Sequence, residues 1–153
     1  MSTTTTQSTE KHVQSTALHR ETTGERMIHQ GLVVRRVTVG LSLAVVGAIH
    51  ILDLPGKFDE TPYLAVAYIG IILVAAVLVE RVLVVGSRMD FLAAATLSAA
   101  VIIGFIVNRT VGMPMAMGDI GNWLEPLGLL SLAVEAFVIW QALVAVALHR
   151  TRR

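Results

Sequence analysis

The sequence predicts an all-α fold, a bundle of four transmembrane helices. Hydrophobic residues make up 54% of the chain and charged residues 15%, with a mean hydropathy of +0.69, whereas soluble domains have about 45–50% and about 25%. The apolar residues cluster in four windows of about 17–22 residues, near the roughly 20 that a helix needs to cross a bilayer. These windows are residues 37–54, 63–79 with an extension to 86, 91–107 and 127–148.

Three regions are predicted along the chain. Residues 1–33 are predicted to be a disordered cytoplasmic tail, because they are rich in Thr, Ser, Gln and mixed charge and have few apolar side chains to bury. His12, His19 and His29 are irregularly spaced there, which favours solvated side chains over a metal site. Residues 34–149 form the four-helix domain, and residues 150–153 form a basic cytoplasmic C-terminus.

The distribution of Lys and Arg predicts the orientation. Basic residues flank the start of the first window, the join of the second and third, and the end of the fourth, whereas the other two connections carry only Lys57 and Arg109. By the positive-inside rule, both termini of this plasma-membrane protein are expected in the cytoplasm. A net charge of +1 gives no reason to expect a nucleic-acid partner, and the absence of cysteine excludes thiol chemistry.

The two outward connections resemble each other. His50 is followed five residues later by Pro55 and then by E-T-P-Y; Arg109 is followed five residues later by Pro114 and then by E-P-L. This similarity indicates two parallel helical-hairpin repeats, as in some transporters. The alternative is that membrane hairpins in general favour Pro and acid near a helix start.

Polar residues gather around these connections. The candidate polar or ligand site consists of His50, Asp53, Glu60, Tyr63, Arg109, Asp119, Asn122, Trp123, Glu125 and Glu135. At about 1.5 Å per residue, only His50, Tyr68 and Glu135 lie below the outer rim, with Glu135 near mid-membrane. Arg109 is expected to lie amid the carboxylates of Asp53, Glu60, Asp119 and Glu125, of which a guanidinium can hold two at once, and so to tie the helix ends together.

Glu135 is the most informative residue. An ionisable group at this depth is energetically costly, so its presence indicates a function. One interpretation is a protonated carboxyl hydrogen-bonded within a helix interface, with Ser131 one turn earlier and Ser98 on the third helix as partners. The other is a carboxyl that takes up and releases a proton or cation, with His50 as a relay.

Two other functions are weaker. Met113, Met115 and Met117 form M-x-M-x-M, and thioethers with His50 would suit copper, although Met also fills apolar gaps. The sequence contains no phosphate-binding loop, H-E-x-x-H or C-x-x-C-H motif, so an enzyme is not expected. No cofactor other than copper is suggested.

Two segments carry a resemblance to other proteins. They read H-I-L-D-L-P-G-K-F-D-E-T-P-Y-L-A-V-A-Y and R-T-V-G-M-P followed by D-I-G-N-W-L-E-P-L-G-L-L-S-L-A-V-E. Residues 48–137 resemble small four-helix integral membrane proteins of actinobacterial type that have no assigned activity. The resemblance implies a membrane fold with a polar outer site. Met115 and Met117 depart from those relatives, which disfavours copper.

Transport or sensing of a small solute, proton or cation is therefore the predicted function. A non-catalytic accessory subunit of a larger membrane complex is the first alternative, and an outward-facing copper-binding protein the second. Small residues in the first and third windows, such as Gly40, Ala44, Gly47 and Gly104, predict close helix packing. Because four helices enclose only a narrow polar column, a homo-oligomer or a partner subunit is also expected.

Overall fold

The computed structural model describes the backbone of residues 4–151 and the side chains of residues 24 and 26–151. These residues form the helices α1 (Thr4–Glu60), α2 (Pro62–Val84), α3 (Arg88–Thr110) and α4 (Pro126–Thr151), with a 3-10 turn at Met117–Asp119. Arg26–Glu60 of α1 and the whole of α2, α3 and α4 are each long and apolar enough to cross a membrane. The predicted four-helix transmembrane fold is confirmed.

The two ends of the chain fall partly outside the described residues. Helix α1 includes most of the segment predicted to be disordered, but the side chains of residues 1–23 and 25, with His12 and His19, are not described. The disordered tail therefore stays a prediction. At the other end, Arg152 and Arg153 lie outside the described residues, and α4 continues to Thr151.

Helix α1 continues past Pro55, although the first predicted window ends at residue 54. Proline lacks an N–H and usually disrupts a helix interior, but here it lies close to the helix end. Lys57 lies 4.0 Å from the carboxylate of Asp53 and 3.8 Å from that of Glu60, and such pairs support a helix by about 0.2–0.5 kcal/mol each. Thr61 alone then separates α1 from α2.

The helices pack as two antiparallel hairpins, α1 with α2 and α3 with α4, and α1 also packs extensively on α4. Their connections differ: one residue joins α1 to α2, whereas residues 111–125 join α3 to α4. Helices α2 and α3, joined by a turn at residues 85–87, have a much smaller contact. Duplication of the hairpin stays a prediction.

The end of the bundle that contains the 85–87 turn is here called the basic end. The Arg36 guanidinium donates hydrogen bonds to the carbonyl oxygens of Val82 (3.1 Å) and Leu83 (2.9 Å), which ties α1 to the end of α2. Gly86 has a φ of +60°, and a Cβ there would lie 2.4 Å from Nε of Arg36. Glycine is therefore required both by the backbone conformation and by the close approach of Arg36.

The apolar core occupies the half of the bundle next to the basic end. Its fully buried side chains include Val39, Leu43, Val82, Phe91 and Val138, which come from all four helices. The other half is bounded by the acidic end, defined as residues 53–63 and 108–126. This end carries five carboxylates, from Asp53, Asp59, Glu60, Asp119 and Glu125, against the two cations Lys57 and Arg109.

A glycine contact between α1 and α2 can be tested. A Cβ on Gly40 would lie 2.7 Å from Cδ2 and 2.8 Å from Cγ of Leu83, so Gly40→Leu should force the helices apart and lower the free energy of unfolding by about 1–3 kcal/mol. Gly70→Leu is the matched control, because nothing lies within 4 Å of a Cβ there. Thermal unfolding in detergent measures both; equal losses would contradict the close packing.

Candidate functional site

A cavity of about 250 Å³ lies between the helices in the half of the bundle next to the acidic end. All four helices line it, and its walls are mainly apolar, with Ile49, Leu64, Ile71, Val101 and Leu132 among them. Its polar lining side chains are His50, Asp53, Lys57, Tyr68, Asn108, Arg109, Glu125, Ser131 and Glu135. The cavity therefore connects the acidic end with the mid-membrane carboxyl.

Arg109 organises the cavity wall at the acidic end. Its side chain is only 3% exposed, and its guanidinium bonds the carboxylates of Asp119, at 3.0 Å, and Glu125. The ring of Phe105, one turn earlier on α3, lies 5.0 Å from the guanidinium carbon. Asn108 donates a 2.8 Å hydrogen bond to the other carboxylate oxygen of Asp119. Arg109 thus joins the end of α3 to the 3-10 turn and to the start of α4.

A second polar group lines the α1 and α2 side of the cavity. The Tyr68 hydroxyl donates to the Asp53 carboxylate at 3.0 Å, and the Lys57 ammonium approaches the same carboxylate. The ring of Tyr68 meets that of His50 edge to face, with the centroids 4.8 Å apart. Nδ1 of His50 lies 2.9 Å from the Val46 carbonyl oxygen. A carbonyl oxygen can only accept a hydrogen bond, so Nδ1 carries the proton that is donated. Nε2 is then the ring nitrogen available for another interaction.

Glu135 lies deepest among the polar lining residues and is completely buried. Ser131, one turn earlier on α4, donates a 2.9 Å hydrogen bond to one carboxyl oxygen. The other oxygen is buried and has no partner among the described residues, and the same holds for the hydroxyl of Ser98. The predicted partner Ser131 is therefore present, whereas the predicted hydrogen bond from Ser98 is not made. Ser131 and Glu135 both line the cavity.

The structure brings together only part of the predicted site. Five of its ten residues line the cavity, and they are His50, Asp53, Arg109, Glu125 and Glu135. The other five lie around it, and they are Glu60, Tyr63, Asp119, Asn122 and Trp123. Of the four carboxylates around Arg109, the guanidinium holds those of Asp119 and Glu125 and not those of Asp53 and Glu60. Those two carboxylates lie on the last turns of α1, where Lys57 is the nearer cation.

The residues around the cavity have structural contacts. The Tyr63 hydroxyl donates a 2.7 Å hydrogen bond to the Pro114 carbonyl and so joins the two hairpins. The Trp123 ring packs edge to face on Phe105 with a centroid distance of 6.1 Å. Glu60 and Asn122 are exposed. These four residues therefore do not belong to the cavity wall.

Among the lining residues outside the predicted site are Lys57, Phe105 and Asn108. Lys57 could have been found from its helical spacing to Asp53 and Glu60, which is typical of an intrahelical ion pair. Phe105 lies one helical turn before Arg109, the spacing at which helix side chains meet. Nothing in the sequence marks Asn108 beyond its place next to Arg109.

The three methionines do not share one position. Met113 lines the cavity, whereas Met115 is 72% and Met117 60% exposed. Within residues described at side-chain level, no cluster of three or more His, Cys, Asp or Glu residues is placed to hold a metal ion. A copper site stays an untested hypothesis that would have to use the thioethers.

No family model, no curated protein and no solved structure matches this chain. The resemblance of residues 48–137 to small actinobacterial membrane proteins therefore stays a prediction.

Arg109→Met should destabilise the acidic end of the bundle. Removing one partner from a buried ion pair costs about 3–5 kcal/mol, and because Asp119 and Glu125 are 26% and 28% exposed, we expect a value near the lower limit. Arg150→Met, at an exposed position at the other end of the bundle, is the control. Chemical unfolding of both variants in the same detergent gives the comparison; equal stability would show that the Arg109 ion pairs contribute little.

Asp119 predicts a pH dependence of stability. Burial would raise its pKa, but the hydrogen bond from Asn108 and the charges of Arg109 and Lys57 outweigh burial and hold the pKa below the ordinary value of 3.8. A lowered carboxyl pKa stabilises the fold above the unfolded pKa, and the stabilisation is lost as the pH falls through the folded pKa. The unfolding temperature should therefore drop below pH of about 4, and by less in Asp119→Asn. Asp59→Asn, which changes an exposed carboxylate, should behave as the wild type; an identical drop in all three proteins would rule out this role of Asp119.

Proposed function

We propose that this protein is a small polytopic plasma-membrane protein, with both termini in the cytoplasm, that transports or senses a small solute, proton or cation. The observation that carries the proposal is the connection of the acidic end, through the cavity, to a completely buried carboxyl. Glu135 lies in a membrane-spanning helix with one oxygen unpartnered among the described residues. An ionisable group in that position is costly, so a scaffold alone gives no reason for it.

The hydrogen bonds around Glu135 support proton exchange. Ser131 contacts the cavity and donates to Glu135, so a cavity water can pass a proton to the Ser131 hydroxyl oxygen while the hydroxyl proton moves to the carboxylate. The reverse transfer returns one proton to the cavity. The other titratable or charged groups that line the cavity are His50, Asp53 and Lys57 on α1, Tyr68 on α2, Arg109 on α3 and Glu125 before α4.

The apolar core lies between Glu135 and the basic end, so proton exchange is directed toward the acidic end. Between Glu135 and the basic end, the bundle is filled by fully buried side chains such as Leu43, Phe91 and Val138. Nearer the basic end, Arg35 donates a hydrogen bond to the buried Gln141 on α4. Glu135 therefore contacts the cavity next to the acidic end and is separated from the basic end by apolar packing. One-sided access to an ionisable group suits a transporter in one of its two states or a sensor of the outer medium, and no enzymatic reaction is proposed.

A subunit of a homo-oligomer or of a larger complex is the second candidate. The apolar windows of α2 and α3 are only 17% and 22% buried, against 39% for those of α1 and α4. Helices α2 and α3 therefore offer surface to another membrane protein. Native mass spectrometry of the gently solubilised protein would detect such a partner.

Proton flux should depend on Glu135. In proteoliposomes that contain a pH-sensitive dye, a potassium diffusion potential should drive faster acidification with the wild type than with Glu135→Gln, which cannot carry a proton at this position. We expect the variant to fall to the rate of protein-free vesicles.

Glu80→Gln is the matched control, because it makes the same change on an exposed residue of α2. Its flux should equal that of the wild type. Two results together would contradict the proposal. Wild-type vesicles would acidify no faster than empty ones, and an infrared pH titration would show no protonation change of the Glu135 carboxyl. A Glu135-dependent titration without flux would favour sensing over transport.

A further inference from the structure

The cavity extends to the space between α2 and α3. Ala67 on α2 and Ala100 on α3 both line it and are exposed. Helices α2 and α3 are joined at the basic end and have little contact elsewhere, and Gly104 adds no side chain to the cavity wall between them. A molecule dissolved in the bilayer can therefore reach the cavity between these two helices.

The cavity volume limits the size of an occupant. An engineered apolar cavity of about 150 Å³ accommodates benzene. By simple proportion, 250 Å³ admits a molecule of roughly ten non-hydrogen atoms. Because the walls are mainly apolar, most of those atoms would be carbon.

The charges around the cavity favour an occupant with one sign of charge. The Asp53 carboxylate lies near the Lys57 ammonium, and Glu125 is paired with Arg109, so these four charges offset one another. Among the described lining residues, this leaves Glu135 as the carboxyl without a salt bridge. Its charge complement is a cation.

Aromatic rings add to this preference. Tyr68 and Phe105 both lie in the cavity wall, and the face of an aromatic ring attracts a cation. One face of Phe105 already holds Arg109, which leaves Tyr68 as the better placed of the two rings.

We propose that the cavity binds a monovalent organic cation with an apolar body of roughly ten non-hydrogen atoms, entering from the bilayer between α2 and α3. The proposal rests on the proposed function, because it assigns the substrate class of the same cavity. The cation replaces the proton of Glu135: the protonated carboxyl releases one proton through Ser131 to cavity water as the cation arrives, and the carboxylate then neutralises the cation. Ser131 accepts the carboxyl proton as its own hydroxyl proton passes to water, so two O–H bonds break and two form, and one hydronium ion leaves.

Three probes of nearly equal shape test the sign of the charge. They are benzyltrimethylammonium, its uncharged isostere neopentylbenzene and the anion phenylmethanesulfonate. Binding to the full chain in lipid nanodiscs is measured by calorimetry, with empty nanodiscs as the blank. Proton release on binding is measured in weakly buffered solution.

We expect the cation to bind at least tenfold more tightly than either other probe and to release a proton. Glu135→Gln should remove the release and weaken cation binding at least tenfold, while leaving neopentylbenzene binding unchanged. Glu80→Gln should behave as the wild type. Glu135→Asp, which keeps the charge, should retain the preference for the cation.

Equal or tighter binding of the uncharged isostere or of the anion by the wild type would overturn the proposal, and this comparison requires no variant to fold. Cation binding that persists undiminished in Glu135→Gln would also overturn it. The proposed function fails separately: Glu135-dependent proton flux without cation preference removes only the substrate class, whereas cation preference with proton release but without flux removes only proton transport.

Discussion

The buried guanidinium of Arg109 is the interaction on which the acidic half of the molecule depends. It bonds carboxylates from the two segments that follow α3, the 3-10 turn and the residue just before α4. Burying these charges is costly unless they are paired with good geometry. The connection of residues 111–125 is therefore held against the helix ends, and its position fixes where α4 begins and where the cavity is bounded.

The two halves of the bundle are stabilised by different interactions, apolar packing in the basic half and ion pairs in the acidic half. In the basic half, close-packed apolar side chains exclude water, and Arg36 and Gly86 hold α1 against the α2–α3 turn. In the acidic half, ion pairs hold the helix ends, while the four helices leave a cavity among them. Glu135 lies where the two halves meet. It is sealed by packing on one side and linked by Ser131 to the cavity on the other.

Much of the candidate site could be predicted, because the depth of a residue in a membrane helix follows from its number along the chain. Counting residues placed His50, Tyr68 and Glu135 below the rim, and all three line one cavity. Choosing the partners of Arg109 was harder. Four carboxylates lie at the same level; the helical spacing of Asp53 and Glu60 to Lys57 accounts for two of them, and the packing of the helices shows that Asp119 and Glu125 are the partners of Arg109. The hydroxyl of Ser98 was a reasonable partner for Glu135 by level, yet the rotation of α3 leaves it unpaired.

The sequence by itself determined the number of membrane helices and the separation of a basic from an acidic end, because hydrophobic length and charge are local properties of the chain. It also predicts a carboxyl near the middle of the fourth membrane helix. Only the structure shows that α1 continues past Pro55, that the four helices enclose a cavity, and that Arg109 pairs with Asp119 and Glu125. The cavity and the partners of Arg109 depend on the rotation and spacing of segments distant in the chain, so no pattern within a single segment specifies them.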